Sequence, residues 1–317
     1  MQTKIDKFKI FRNVALGLIL FVVLTEAVVR LSGITDFPIY ATGNGMGYLP
    51  KPNQSGDFLD KNDWVFNDRS MGTENKWNPQ KRPNILLIGN SVVMGGNHYA
   101  QKDKLGPLIQ YYIGKGYSVW PIAAGGWSDV NETVYLEKNP DVVKAANFFI
   151  WLYMNGGLSK LNQWHGEYIW PTKKPIWATG YVLRKYVLPH FIDFDMNELP
   201  PKGEAEERNL ANYETEISKL SAATGRKTPG ILFIYPGKSE FIDAKKGIEW
   251  LPERKTIEKI AFVHGLKIVD ISSRPEWNES LYRDGTHPNV EGNEILAKIL
   301  VSAVNDALVI NNKAKKF

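Results

Sequence analysis

The chain has 317 residues, of which 43% are hydrophobic and 23% are charged, so it can bury a sizeable core and is not intrinsically disordered. Its net charge is +5, but the basic residues are spread along the chain, which argues against nucleic-acid binding. It contains no cysteine, and this excludes disulfides, thiolate metal sites and cysteine nucleophiles.

The first 30 residues have the pattern of a membrane anchor or a signal segment. Lys4, Lys7, Lys9 and Arg12 precede an apolar stretch, Val14–Val29, and a poor cleavage site favours an uncleaved anchor. This stretch measures about 24 Å as a helix, short of the roughly 30 Å hydrocarbon core, so its length does not decide between the two. A buried N-terminal helix is the third alternative. The positive-inside rule predicts that the rest of the chain is extracytoplasmic, either periplasmic or extracellular.

Residues 31–82 are rich in glycine, proline, asparagine and aspartate, which excludes a long helix. We therefore expect an extended linker that packs in places on the domain after it. The sequence GNGMG at residues 43–47 superficially matches a dinucleotide-binding fingerprint, but no predicted strand precedes it and no predicted helix follows it. It is predicted to be a turn.

Apolar runs alternate with amphipathic stretches from residue 83 to about 310. The predicted strands cover residues 84–89, 117–124, 148–154, 230–236 and 266–271, and the predicted helices cover about 103–113, 129–138, 140–146, 204–225, 252–264 and 290–308. This alternation predicts an α/β domain with a mainly parallel sheet covered by helices on both faces.

Polar residues follow the predicted strands where ligands bind in open parallel sheets, at the carboxyl ends. Ser91 follows the first strand, Gly126 the second and Asn155 the third, while Asp284 and His287 lie in the loop after the last strand. If the predicted fold is correct, these residues converge at one edge of the sheet.

The residue types at this edge are those of nucleophilic catalysis. A serine hydroxyl attacks only when an imidazole takes its proton, and a carboxylate fixes the imidazole's tautomer, so Ser91, His287 and Asp284 form a candidate catalytic triad. The backbone N–H groups of Ser91 and Gly126 and the side-chain amide of Asn155 are the candidate donors of an oxyanion hole.

These residues resemble the SGNH branch of the GDSL hydrolases, over roughly residues 83–308. The resemblance rests on four blocks in the family's order, which are Ser91, Gly126, Asn155 and the Asp284/His287 pair. It implies a flavodoxin-like three-layer α/β/α sandwich and ester hydrolysis or acyl transfer without a metal or cofactor. The chain has Asn90 where the family usually has aspartate, and Gly125 is an alternative to Gly126.

The resemblance favours an extracytoplasmic serine esterase or O-acyltransferase that acts on O-acetyl groups of a cell-envelope or exported polysaccharide. A single anchor provides no channel for acyl donors, so deacylation is favoured over transfer, which requires a separate membrane acyl-donor protein. The rival hypothesis is a catalytically silent relative that binds glycans or scaffolds an envelope assembly, and Asn90 is its first support.

Residues 158–201 form an aromatic-rich insertion for which no regular element is predicted. It contains Trp164, Trp170, Trp177, Tyr181 and other aromatic residues among prolines and lysines. One interpretation is a locally packed cap. The other is an aromatic platform beside the cleft, which stacks on sugar rings or rests at the lipid interface.

The remaining histidines are assigned to other roles, and no metal site is predicted. His264 ends a predicted helix beside a glycine, where capping is the favoured role, and His98 is a candidate for the wall of the cleft. His165 and His190 lie in the insertion without the carboxylate spacing of a metal site.

Overall fold

The computed structural model describes residues 2–43, 45–158, 160–193 and 210–314 of the chain. The predicted helical residues 204–209 and the end of the insertion after residue 193 lie outside the described residues.

The N-terminal helix α1 runs Gln2–Leu31. Its segment Phe8–Leu31 has 24 residues and contains an 18-residue window with a mean hydropathy of 2.3, none of which is buried against the rest of the described chain. At 1.5 Å per residue the segment measures about 36 Å, which is enough to cross a membrane and longer than the stretch used in the sequence analysis. A signal sequence would pass the same test, but the alternative of a buried N-terminal helix is wrong.

Two antiparallel hairpins follow within the predicted linker. Strand β1 (Tyr40–Thr42) pairs with β2 (Tyr48–Pro50), and β3 (Gln54–Phe58) pairs with β4 (Asn62–Phe66). The sequence analysis did not predict them, because strands of three to five residues among turn-forming residues leave too little alternation to detect. The predicted turn at residues 43–47 connects β1 to β2.

The domain is built on one five-stranded sheet. Its strands are β5 (Asn84–Gly89), β6 (Ser118–Ala123), β7 (Ala146–Tyr153), β8 (Gly230–Ile234) and β9 (Lys267–Asp270). All neighbouring strands are parallel and their order is β6-β5-β7-β8-β9. This is the flavodoxin-like order, in which ligands bind where the first and third strands meet. The predicted parallel sheet is confirmed.

Nine further helices of the described chain surround or connect these strands. They are α2 (Ser91–Met94), α3 (Leu105–Ile113), α4 (Asp129–Lys138), α5 (Pro140–Lys144), α6 (Ala178–Val182), α7 (Leu210–Thr224), α8 (Lys238–Lys245), α9 (Arg254–Val263) and α10 (Val290–Ala314). Helices α2, α3, α8 and α10 share one apolar core with the sheet, and α4, α5, α7 and α9 share the other. The three-layer α/β/α sandwich is therefore confirmed.

The main differences from the predicted elements concern short helices. Helices α2, α6 and α8 have four, five and eight residues and were not predicted, because so few turns give little periodic signal. The expectation that the insertion has no regular element is wrong, since α6 continues as further helical turns to His190. Helix α5 ends at Lys144 rather than residue 146, because the chain enters β7 at Ala146.

Candidate active site

Ser91 is the first residue of α2, directly after the carboxyl end of β5. Asn90 caps this helix, because its side-chain oxygen accepts a hydrogen bond from the Val92 amide at 3.0 Å. The Asn90 amide also donates to the sulfur of Met154 at 3.2 Å. Asparagine thus supplies the capping acceptor that an aspartate would supply, and adds a donor that an ionised aspartate lacks.

Ser91, His287 and Asp284 lie in a continuous chain of contacts. Nε2 of His287 is 2.9 Å from Oγ of Ser91, and Nδ1 of His287 is 3.0 Å from each carboxylate oxygen of Asp284. With the imidazole neutral, a proton on Nδ1 bonds to the carboxylate and leaves Nε2 free to accept the serine proton. The structure therefore brings together the three residues that the sequence analysis selected.

Asp284 is surrounded by donors although its side chain is 44% exposed. Partial burial by itself raises the pKa of this carboxyl group, but the backbone N–H groups of His287 and Thr286, both within 2.9 Å, lower it. The Arg283 guanidinium, 2.9 Å from Oδ2, lowers it further, and the net pKa lies well below the usual range. Asp284 is consequently ionised at neutral pH, as a partner of the imidazole must be.

The loop that carries Asp284 and His287, residues 281–289, is closed on itself. The Arg283 amide donates to the His287 carbonyl oxygen at 2.8 Å, and the Asn289 amide donates to the Leu281 carbonyl oxygen at 2.7 Å. These bonds close the loop, and the hydroxyls of Tyr99 and Tyr235 hold it from outside by donating to the carbonyl oxygens of Pro288 and Thr286.

The candidate oxyanion glycine lies in the loop after β6, under two aromatic side chains. Gly126 has φ +76°, a conformation that favours glycine, and a Cβ there would come within 2.9 Å of both Trp170 and the Tyr48 hydroxyl. The carbonyl oxygen of Gly125 accepts hydrogen bonds from the Tyr48 hydroxyl (2.7 Å) and from Nε1 of Trp170 (3.0 Å). The two rings stack with centroids 4.1 Å apart. The glycine loop is thus held by residues outside the sheet.

Asn155 follows β7, and its side-chain amide is oriented by a carboxylate. Nδ2 of Asn155 donates to Oε1 of Glu240 at 2.9 Å, and Oε2 of Glu240 accepts from the Gly237 amide at 2.8 Å. An amide nitrogen carries two N–H groups, so one remains for a substrate oxygen. The same turn joins the loop of the histidine, because the Lys238 amide donates to the Gly285 carbonyl oxygen at 2.8 Å.

The sequence analysis missed the residues that support these groups. Tyr48, Trp170 and Glu240 lie far from their partners along the chain, so no local pattern marks them. Arg283 is next to Asp284 in sequence, and its charge was a signal that could have been used. His98 is the candidate for the wall of the cleft. Burial lowers the pKa of its imidazole, and the charges of Arg283 and His287 lower it further, which indicates that His98 lies near the loop of residues 281–289.

The aromatic side chains of the insertion divide into two groups. Trp164 and Tyr181 are buried and Trp170 is partly buried, as expected of a packed cap. Trp177 and Phe191 are exposed, as the alternative of an interaction platform requires. The packed cap therefore describes a part of the insertion, and the aromatic platform stays a prediction.

Comparison with known proteins gives only distant likenesses. No protein-family model matches the chain, and no curated protein does. It is similar to the solved structure of a lipase/acylhydrolase from Enterococcus faecalis, with 15% identity, a TM-score of 0.43, and coverage of 70% of this chain and 95% of the other. It is also similar to Est24, a carbohydrate acetylesterase from Sinorhizobium meliloti, with 12% identity, a TM-score of 0.40, and coverage of 71% and 99%.

The psychrotrophic esterase EstA from Pseudoalteromonas is a third such structure, with 12% identity, a TM-score of 0.41, and coverage of 71% of this chain and 98% of the other. The internal features of the chain are more specific than these likenesses. Its strand order is flavodoxin-like, its four blocks occur in the family's order, and Ser91, His287 and Asp284 are in contact. The chain thus has a flavodoxin-like α/β fold in which Ser91, His287 and Asp284 are in contact, as the resemblance to the SGNH hydrolases implies.

Proposed function

We propose that the protein is a serine esterase of the SGNH type, in which Ser91 is the nucleophile, His287 the general base and Asp284 the carboxylate that orients the base. The observation that carries this proposal is the 2.9 Å contact between Nε2 of His287 and Oγ of Ser91, across 196 residues of sequence. This distance is within the reach required for proton transfer, and the carboxylate on the other ring nitrogen favours the charged imidazole that results.

The reaction follows from these positions. Oγ of Ser91 attacks the carbonyl carbon of an ester while His287 takes the hydroxyl proton. The carbonyl oxygen becomes an oxyanion, for which the N–H groups of Ser91, Gly126 and Asn155 are the donors, and each donor is worth about 3 kcal/mol. The C–O bond then breaks, and His287 returns the proton to the departing alcohol oxygen. Water resolves the acyl-enzyme in hydrolysis, and a sugar hydroxyl resolves it in transfer.

A small cavity beside these loops supports a short acyl group such as acetyl. The cavity has a volume of about 150 Å³, and its lining includes Met94, Gly125, Tyr40, Trp170 and Tyr186. Ligand cavities for drug-sized molecules measure about 300–1,000 Å³, so this one favours a short acyl group over a long fatty-acyl chain. The aromatic rings offer flat apolar faces to a sugar. We extend the proposal to O-acetyl groups of a cell-envelope or exported polysaccharide.

The N-terminal helix supports an extracytoplasmic position for this chemistry. The cations before α1 favour a cytoplasmic amino end, which places the sheet on the other side of the membrane. Helix α1 is the one membrane-span candidate among the described residues and provides no channel for an acyl donor. Deacylation is therefore the favoured reaction, and transfer would depend on a separate membrane protein that supplies the acyl group.

The test uses the full-length protein in detergent, a fluorophosphonate probe and 4-nitrophenyl acetate. The wild type is expected to be labelled and to release nitrophenol, and Ser91→Ala is expected to lose both activities. Ser273→Ala is the control, because Ser273 is exposed and its hydroxyl donates only to the Asp270 carbonyl oxygen. Labelling that persists in Ser91→Ala would contradict the assignment, and an inert wild type would support a silent glycan-binding or scaffold protein.

A further inference from the structure

We propose that the insertion carries a surface that lies on the lipid bilayer beside α1. This surface, called the insertion surface below, consists of Ile176, Trp177, Leu183, Val187 and Phe191, all of which are exposed. The inference requires α1 to cross the membrane and does not depend on the hydrolase chemistry.

The first support is a direct connection between α1 and the insertion. The carboxylate of Glu26, near the end of α1, accepts hydrogen bonds from the backbone N–H groups of Ala178 (2.9 Å) and Thr179 (2.8 Å) at the start of α6. Arg30 contacts the same carboxylate at 2.7 Å and donates to the Ile176 carbonyl oxygen. The last turns of α1 thus fix where α6 begins.

These bonds also set the depth of the insertion. Glu26 is five residues before the end of α1 at Leu31, so its Cα lies about 7.5 Å along the axis from that end. Arg12 and Arg30, the cations on either side of the apolar stretch, are 18 residues and about 27 Å apart along the helix axis. This distance is close to the roughly 30 Å of the hydrocarbon core, so Arg30 lies near one of its boundaries and Glu26 about one turn away. The backbone at Ala178 and Thr179 is therefore held at the boundary between hydrocarbon and headgroups.

The helical turns that follow α6 expose an apolar face at this level. Leu183 and Val187 lie four residues apart in the helical turns that end at His190, and Phe191 follows directly; all three are exposed. Ala178 and Tyr181, by contrast, are buried against the domain. The stretch thus packs on the domain through one set of residues and leaves a second set of large apolar side chains exposed.

The loop before α6 extends the same surface. The side chain of Ile176 is 91% exposed and that of Trp177 is 58% exposed, directly beside the bonds to α1. Tryptophan is enriched at membrane interfaces, and the exposed Arg184 adds a cation that attracts anionic headgroups. Continuity with α1 favours lipid over a protein partner as the occupant of this surface.

Docking of this surface has a consequence for the catalytic loops. The cavity beside the active site is lined both by Met94 and Gly125 and by Tyr186 and Lys185 of the insertion. If the insertion surface lies on the bilayer, this cavity is held close to the headgroups. The geometry thus points to esters presented near the membrane surface.

The absence of cysteine allows a direct test with single-cysteine variants of the full-length protein. Ile176→Cys and Phe191→Cys are labelled with an environment-sensitive fluorophore and reconstituted in vesicles of phosphatidylcholine and phosphatidylglycerol. Phe262→Cys and Tyr111→Cys are the matched controls, because Phe262 is 88% exposed and Tyr111 is 76% exposed, against 91% for Ile176 and 78% for Phe191. Quenching by nitroxide-labelled lipid and by aqueous iodide is then compared.

We expect lipid nitroxide to quench the labels at Ile176 and Phe191 about threefold more than the control labels, because an interfacial helix sinks about 5–10 Å into the headgroup region. For the same reason, iodide should quench the labels at Ile176 and Phe191 less than the control labels. Equal quenching of test and control labels by iodide would overturn the proposal. Low quenching by both agents would overturn it in favour of a protein–protein contact. Quenching by lipid at Ile176 alone would overturn the part of the proposal that concerns the helical stretch.

A label at Leu20→Cys, in the middle of α1, separates this inference from the anchor. Leu20 is exposed in the structure, so a spanning helix places its label deep in the hydrocarbon. If deep lipid nitroxides quench the label at Leu20 and iodide freely quenches the label at Ile176, then α1 spans the membrane but the insertion surface does not lie on it. Circular dichroism of each variant checks that the fold is retained.

Discussion

The side chains of His287 and Asp284 bond to each other, to Ser91 and to groups of their own short loop, whereas Gly126 and Asn155 are held by residues from distant parts of the chain. The histidine loop closes through its own backbone bonds. Gly126 depends on Tyr48 and Trp170, which pack over it and bond to the preceding carbonyl oxygen. The side-chain contacts of the base side (Asp284 and His287) are thus mostly local in sequence, whereas the oxyanion side (Gly126 and Asn155) depends on tertiary contacts.

Asp284 on the base side and Asp129 beneath the loop of Asn155 have pKa values shifted in opposite directions. Asp284 is kept ionised by its donors. Asp129 is buried against the loop of Asn155, since a Cβ at Gly157 would overlap its carboxylate. Burial is the main cause that raises the pKa of Asp129, and burial followed by the Asp129 charge raises that of Glu132. An ionised Asp284 thus serves the base side, whereas burial favours the protonated forms of Asp129 and Glu132 under the loop of Asn155.

The largest expected effect comes from the base side. Asp284→Asn should lower kcat by about 10³- to 10⁴-fold, because an amide stabilises neither the required tautomer nor the imidazolium. Steady-state hydrolysis of 4-nitrophenyl acetate measures this loss. Asp306→Asn, a change at an exposed surface aspartate, is the control and should keep full activity. A loss below about tenfold would mean that the loop orients His287 without the carboxylate.

On the oxyanion side, Glu240→Ala should lower kcat by about 10- to 100-fold, because Asn155 keeps its donors but loses the partner that orients them. Glu240→Gln should lie between the wild type and Glu240→Ala, because a glutamine can bond to only one of Asn155 and Gly237 through its single side-chain oxygen. Asp243→Asn, in the same helix, is the control. Equal activity of all four proteins would show that Asn155 needs no such support.

Tyr48→Phe tests whether the aromatic contacts matter for chemistry or only for stability. The change removes the hydroxyl donor to Gly125 and keeps the ring, and it should cost about 1 kcal/mol of folding free energy. Tyr135→Phe is a matched control, because the buried Tyr135 hydroxyl donates in the same way to the Arg69 carbonyl oxygen at 2.9 Å.

Denaturation should show similar losses of stability in both variants, whereas kcat should fall about fivefold in Tyr48→Phe alone. If kcat is unchanged in both, the contacts over Gly125 are structural and the contrast between the two sides of the site is weaker than inferred. If both variants lose activity, the loss reflects general destabilisation.

The smallest expected effect is on the pH dependence of stability. The unfolded state ionises Asp129 above about pH 4, whereas burial keeps this group protonated in the folded state, so its contribution to stability is lost as pH rises towards the raised pKa. Asp129→Asn should remove part of this decline and flatten Tm against pH by a few degrees. Asp306→Asn should follow the wild type, and identical slopes in all three proteins would contradict the assignment.

The sequence predicted the sheet and the base side of the site because both leave local signals. Strands buried on both faces are apolar runs, and Asp284 and His287 lie three residues apart. The contact between Glu240 and Asn155 joins residues 85 apart, one in α8 and one in the loop after β7, and Trp170 is one of many aromatic residues in an insertion whose sequence has no clear period. Such contacts depend on how elements pack, which no local pattern encodes.

The hydrogen bonds to the Gly125 carbonyl oxygen indicate how much of the chain an active truncated protein needs. Tyr48 belongs to the first hairpin and Trp170 to the insertion. A chain trimmed to begin at β5 would therefore retain every residue of the four blocks and still lose the hydrogen bond from Tyr48 to the glycine loop. Chimeras that exchange specificity between such enzymes should therefore transfer the first hairpin and the insertion together. A chimera that receives only one of the two segments would have only one of the two side chains that stack on each other and donate to the Gly125 carbonyl oxygen.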